Sequence, residues 1–95
     1  MHIYIKKFGE ILTSRQDGKE ALAAFNPTLV TATDNEEILI DFDGVVSFTP
    51  SWGDEFITPL YKRFGDRVKL INTVNSSVQA TISLLEQVNG YKLRR

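Results

Sequence analysis

Apolar residues recur along this chain with two different spacings, and the spacing sorts it into strands and helices. Ile38, Leu39, Ile40 and Phe42 form an almost unbroken apolar run. Such a run needs cover on both faces if it is a strand, so residues 37–42 predict a strand in the middle of a sheet. From Ser51 the spacing changes: Trp52, Phe56, Leu60 and Phe64 recur every four residues, with Ile57 and Tyr61 beside them. That describes one wide apolar stripe on a helix. Gly65 closes this helix, and Val68, Leu70 and Ile71 within residues 67–72 predict another strand, a parallel neighbour of the central one. Asn75 or Ser76 then caps a last helix. Val78, Ile82, Leu85 and Val88 line one face of it, with Leu84 adjacent, until Asn89-Gly90 stops it.

The first third is less regular. Residues 2–6 alternate around Ile3, Tyr4 and Ile5 and predict a short strand, suited to a sheet edge, with Gly9 as a break. Ser14 precedes Arg15, Gln16 and Asp17, so its hydroxyl can cap a helix whose first turn carries a negative charge, favoured by the helix dipole. The helix is expected over residues 15–25, with Ala21, Leu22, Ala24 and Phe25 in its second half, ending at Asn26-Pro27 because the residue before proline disfavours helical backbone. Residues 28–33, followed by the turn-like Asp34-Asn35, fit a small hairpin and an ordinary loop equally well. Pro59 removes one backbone hydrogen bond and predicts a kinked or shortened second helix, unless that helix begins near Phe56. Phe8 and Phe64 read as core, His2 as a solvated terminal residue, and residues 91–95 as a short basic, solvated tail. Strand and helix thus alternate three times, which points to a small α/β layer with crossover helices.

Composition narrows the function classes. At 95 residues the chain forms one domain, residues 1–95, since either half would bury too little to fold alone. With 11 Lys plus Arg against 12 Asp plus Glu, the net charge is −1, which gives no general attraction for nucleic acid or anionic lipid. The absence of cysteine excludes a disulfide framework, a thiol nucleophile and a thiolate metal site, and it suits a reducing compartment. No apolar run approaches the ~20 residues of a membrane span. A soluble cytoplasmic protein is expected.

Candidate chemistry concentrates where the central strand runs out. Leu39-Ile-Asp-Phe-Asp-Gly-Val-Val46 resembles the Asp-x-Asp-Gly motif of the haloacid dehalogenase phosphatases. That resemblance implies Asp41 as nucleophile and Asp43 as acid/base around a magnesium ion. Such a site also needs a lysine and further acidic ligands to offset charge repulsion, and the rest of the chain offers no elements that carry them. Without them, Asp-Gly is simply a common strand end: aspartate tolerates turn conformations and glycine supplies positive φ. Further on, Ser51 followed by Asp54 and Glu55 reads as a helix N-cap with two acidic residues in the first turn, or as a docking surface with Thr49 and Trp52. Trp52 heads the apolar stripe and is read as core, or as an interface anchor if it is partly exposed. Arg15 is read as the partner of a nearby carboxylate, or as a donor to a phosphate or a partner protein.

A second resemblance covers nearly the whole chain. Ser14-Arg15 opening the first helix, Ile40-Asp-Phe-Asp-Gly-Val45, Ser51-Trp-Gly-Asp-Glu-Phe56, and Phe64-Gly65 with the following strand to Asn72 resemble, in that order, the bacterial STAS-like family. This family is related to the anti-sigma-factor antagonists, and its pattern reads Asp-Phe-x-Gly-Val, Ser-Phe-x-Asp-Glu, Phe-Gly. Here Trp52 stands where the family usually has phenylalanine and Gly53 where it usually has alanine. In true STAS antagonists a partner kinase phosphorylates a Ser or Thr in an Asp-Ser-Ser-Gly-like turn; the alignment puts Ser51 on the first serine, Trp52 on the second hydroxyl position and Pro50 on the aspartate. The resemblance implies a STAS-like α/β fold: a sheet of about three to five strands, parallel or mixed, with about three helices in a single layer. It also implies a non-catalytic signalling module without a cofactor. Its partner would be a protein, such as a histidine-kinase-like ATPase, bound through residues 47–54 and the helix after them, with Ser51, Trp52, Asp54, Glu55, Thr49 and Arg15 as contact or switch residues. The alternatives are the magnesium phosphatase on Asp41 and Asp43, and a sensor that binds a small anion or nucleotide at the same helix N-terminus.

Overall fold

The computed structural model describes residues 1–95. The chain runs through strands β1 (His2–Tyr4) and β2 (Ile11–Leu12), helix α1 (Arg15–Leu29), strands β3 (Ile38–Asp41) and β4 (Ser47–Phe48), helix α2 (Pro50–Phe64), strand β5 (Val68–Ile71) and helix α3 (Ser76–Asn89). Short 3-10 turns occupy Ile5–Phe8 and Gly65–Arg67. The main sheet has the order β1-β3-β5 with both pairings parallel, Ile40 standing between Ile3 and Leu70. Parallel neighbours need crossovers, and α1 and α2 supply them. A separate two-stranded parallel ribbon joins β2 to β4.

Burial alternates along the strands as the pleat requires. Ile3, Ile38, Ile40, Val68 and Leu70 are no more than 1% exposed. The other face carries His2, Tyr4, Leu39, Lys69 and Ile71, which are half-buried or exposed, and Asp41, which is buried at the strand end. The central strand is therefore covered fully on one face only, contrary to the two-sided burial its apolar run suggests. Leu39 is the residue that made the run look continuous.

The three helices form one layer, with α2 between α1 and α3. Two glycines set how closely they approach. A Cβ on Gly18 would lie 2.7 Å from the Trp52 carbonyl oxygen, and one on Gly53 would lie 2.9 Å from Leu85 Cδ1 and 3.0 Å from Phe48 Cζ. Between helices and sheet sits an aromatic cluster: Trp52 stacks on Phe56 with centroids 5.0 Å apart, Phe8 lies 5.1 Å from Phe56, and Phe48 lies 5.0 Å from Phe42. Such pairs add to the burial term.

Several expectations change. The first helix does not stop at Asn26-Pro27 but continues to Leu29, which is 1% exposed, so there is no hairpin over residues 28–33. Burial of Leu29 holds the last turn against the proline's local preference. Helix α2 likewise runs unbroken through Pro59, with Ile57 and Leu60 buried on either side of it. In α3 the buried face is Val78, Thr81, Ile82 and Leu85, and Thr81 donates to the Phe48 carbonyl at 2.6 Å. Val88, expected on that face, is 73% exposed. The C-terminal residues are no solvated tail: Leu93 is 3% exposed, Leu70 N–H donates to the Arg94 carbonyl at 2.7 Å, and Arg94 pairs with Glu37. No helix is long and apolar enough to cross a membrane.

Candidate functional site

The turn into α2 differs in detail from the sequence expectation. Thr49, not Ser51, occupies the N-cap position, Pro50 is the first helical residue, and Ser51 follows it. The Thr49 side chain does not cap the helix; its hydroxyl donates to the Thr13 carbonyl at 2.9 Å, tying the turn to the start of α1. Proline suits the first position because that N–H would lack an intrahelical acceptor anyway. Ser51 is half-buried at the rim, where the first-turn N–H groups and the helix dipole favour negative charge.

Because the helix begins at Pro50, Asp54 and Glu55 lie beyond its first turn, not within it as expected. They face α1 instead. Arg15, at the start of α1, donates to Glu55 Oε1 at 2.7 Å and to Asp54 Oδ2 at 3.4 Å, and those two hydrogen bonds raise its pKa. The pairing expected for Arg15 is thus present, and its side chain remains 52% exposed, lining a groove with Pro50 at the start of α2. Asp54 Oδ1 accepts from Thr58 Oγ1 at 3.0 Å and Asn89 Nδ2 at 3.2 Å. The chain continues from Thr58 to the Tyr91 hydroxyl at 2.7 Å, and burial pushes the Tyr91 phenol up from its ordinary pKa. Asp54 therefore joins all three helices. Sequence reasoning missed Thr58, Asn89 and Tyr91; only the i, i+4 spacing of Asp54 and Thr58 was there to be seen.

Trp52 is 1% exposed, which corrects its reading as an interface anchor: it belongs to the core. Since α2 is flanked on both sides, the surface it offers is narrow. Ser51, Asp54 and Glu55 are half-buried near its start and Lys62 and Arg63 exposed near its end. Beside the start, a groove of about 110 Å³ runs between α2 and α3, lined by Pro50, Leu84, Leu85 and Val88 together with the polar Arg15, Asp54 and Asn89. A larger one, about 310 Å³, separates α1 from α2 between Lys19 and Glu55.

Asp41 and Asp43 lie at the end of the central strand, and the structure separates their roles. Asp43 is exposed, whereas Asp41 is 4% exposed. Its Oδ1 accepts from Asn72 Nδ2 at 2.8 Å and from the Asp43 N–H at 2.9 Å, and its Oδ2 lies 2.7 Å from His2 Nε2. Burial pushes its pKa up, but the donors from Asn72, Asp43 and His2 outweigh that and hold it below the ordinary carboxylate range. Asn72 serves from a left-handed backbone, φ 55, at the end of β5. His2 is no free terminal side chain, since it stacks on Tyr4 at 4.1 Å while meeting Asp41. Both oxygens of Asp41 are thus engaged, as buried carboxylates are when they hold structure together. Nowhere do three His, Asp or Glu side chains converge in a metal-binding arrangement.

No curated protein and no solved structure matches the chain. A family profile described as STAS-like domain of unknown function does match, over residues 17–78. That span runs from the first turn of α1 to the first turn of α3, so it includes the Asp41 strand end, the Ser51 turn and all of α2. Well over half of the chain is matched, and with the observed α/β architecture it follows that the protein belongs to the family of STAS-like domains of unknown function.

Proposed function

We propose that this domain works by binding a protein partner and catalyses no reaction of its own. The observation that carries the proposal is the turn into α2. Ser51 sits in the first helical turn, and the half-exposed guanidinium of Arg15, bonded to Glu55, lines a groove with Pro50 at the start of the same helix. A phosphate on Ser51 would gain the helix N-terminus, and Arg15 can leave its carboxylate partners to meet it. Asp54 and Glu55 would oppose that phosphate, so modification should shift the ion pairs and alter the surface. A signalling kinase or histidine-kinase-like ATPase fits such a switch. The engagement of both Asp41 oxygens by Asn72, the Asp43 N–H and His2 supports a structural carboxylate in preference to a phosphatase nucleophile.

A photo-crosslinking side chain placed at Ser51, with one at Lys62 as control at the far end of the same helix, tests this in the cell. A signalling ATPase or kinase captured from position 51 and absent from position 62 is the expected outcome. Equal capture at both positions, or none at 51, would remove the basis of the proposal. With the captured partner purified, Ser51→Glu should weaken binding on the order of tenfold, the usual scale for a charge placed in a contact.

A further inference from the structure

On the helix-free face of the sheet, His2, Leu39 and Lys69 are register partners across β1, β3 and β5, so their side chains stand in one row. The His2 side chain is 37% exposed, and Nε2 is its bonded nitrogen, 2.7 Å from Asp41 Oδ2. Asp41 settles which nitrogen carries the proton. Its Oδ1 already accepts from Asn72 and the Asp43 N–H, and a carboxylate surrounded by donors can only accept, so Nε2 is the N–H of the ring. In the neutral imidazole Nδ1 is then left with its lone pair free. The ring is held in that orientation from its flat side too, stacked on Tyr4 with centroids 4.1 Å apart and planes 10° from parallel. Across Leu39, Lys69 is half-buried, and its ammonium pairs with no carboxylate. Two strand spacings put its Cα about 10 Å from that of His2, a gap that a four-carbon stem can largely close. The carboxylates beside this row are engaged, Asp41 by its three donors and Glu37 by Arg94. A bare nucleophilic nitrogen with a carboxylate behind it and an unpaired cation alongside suits an electrophile that arrives with negative charge.

We propose that His2 is a phosphoryl acceptor, modified at Nδ1. The lone pair of Nδ1 attacks the γ-phosphorus of a nucleoside triphosphate held by a kinase. The N–P bond forms, the bond from phosphorus to the bridging oxygen breaks, and its electron pair leaves on the nucleoside diphosphate. No proton has to leave Nδ1, because the one proton of the ring is on Nε2. The phosphorylated ring is positive, and Asp41 faces that charge through the Nε2 N–H while Lys69 can reach the phosphoryl oxygens. A general base would need a substrate pocket beside it, and neither groove of the protein includes His2. The reacting group is therefore the imidazole itself. The site lies across the sheet from α2, and its failure would leave the Ser51 proposal standing.

The chain has one histidine, so phosphohistidine in it has one source. Phosphoramidate, a small phosphoryl donor that needs no kinase, tests the site on the whole folded protein, with ammonia as the leaving group. Phosphorus NMR identifies the isomer, since phosphoryl groups on Nδ1 and Nε2 resonate apart. The expected initial product is acid-labile and carries its phosphoryl group on Nδ1, formed on the order of tenfold faster than in the protein unfolded by urea. Asp41→Asn should lose the Nδ1 product. Its amide keeps the Asn72 and Asp43 donors on the oxygen, turns the NH2 to Nε2, and so moves the ring proton to Nδ1. Lys69→Gln leaves the tautomer alone, so it should keep the isomer and slow its formation about threefold. Should Asp41→Asn fail to fold, Lys69→Gln and the urea comparison decide. No product, an initial product on Nε2, a rate unchanged by unfolding, a rate indifferent to Lys69, or undiminished Nδ1 product in folded Asp41→Asn would each overturn the inference.

Discussion

Asp41 shows what a single residue can decide. Its carboxylate stabilises the fold because its pKa in the folded state lies below that in the unfolded chain. A group of that kind contributes fully above its unfolded pKa and loses its contribution as pH falls through the folded one. Stability measured by urea unfolding should therefore decline as pH drops below the ordinary carboxylate range, near ~4. Glu36, lowered by its bond to the N-terminal ammonium, has the same sign. Asp41→Asn should cost about 1–3 kcal/mol at neutral pH, since the carbonyl oxygen can keep the donors of Asn72 and Asp43 only by turning the NH2 toward His2, and the charge that strengthened all three contacts is lost. It should also flatten the acid limb, and an unchanged limb would mean that other carboxylates set it. Trp52 is the opposite case, a residue whose weight is all packing. Trp52→Ala should cost about 3–5 kcal/mol in the same assay while leaving the Ser51 surface in place.

At the scale of elements, the sequence disclosed most where a pattern was long and apolar. The stripe from Trp52 to Phe64, the run around Ile40 and the alternation of β5 all became the elements they suggested, because burial of those side chains dominates every local preference. It misled where burial overrode punctuation. Pro27 and Pro59 look like stops, but Leu29 and Leu60 hold the helix on the core beyond them. The cap was misplaced by two residues, since Thr49 and Ser51 are equally plausible from their side chains and only the position of Pro50 in the helix decides. The close helix crossing at Gly18 was invisible, for it depends on a carbonyl 34 residues away, that of Trp52. Gly18→Ala gains about 1 kcal/mol of helix propensity, yet it puts a methyl 2.7 Å from that backbone oxygen, which has no room to retreat. The net expected from chemical denaturation is a loss of about 1–3 kcal/mol, and a gain would show that α1 can slide along α2.

For the molecule as a whole, the C-terminal segment matters beyond its length. Residues 91–95 read as a basic, solvated end because Lys92, Arg94 and Arg95 dominate them, and charge usually marks a free terminus. The structure binds them at several points. Tyr91 packs on Tyr61 at 4.7 Å and joins the hydrogen-bonded chain through Thr58 to Asp54, and Leu93 fills the core. Arg94 extends the parallel sheet beyond β5, where the edge would otherwise expose unpaired backbone groups. The segment thus covers a sheet edge and steadies Asp54, which helps hold Arg15 near the start of α2. Leu93→Ala should cost about 2–5 kcal/mol of stability, the range for removing a buried leucine side chain. Tyr91→Phe keeps the ring on Tyr61 but deletes the hydroxyl that meets Thr58, and should cost only about 0.5–1.5 kcal/mol. Hydrogen exchange separates the two roles. Loss of Leu93 should free the Leu70 amide, which donates to Arg94, whereas loss of the Tyr91 hydroxyl should leave it protected and loosen the start of α2 instead. Protection unchanged in both variants would mean that the end of the chain merely rests on the domain.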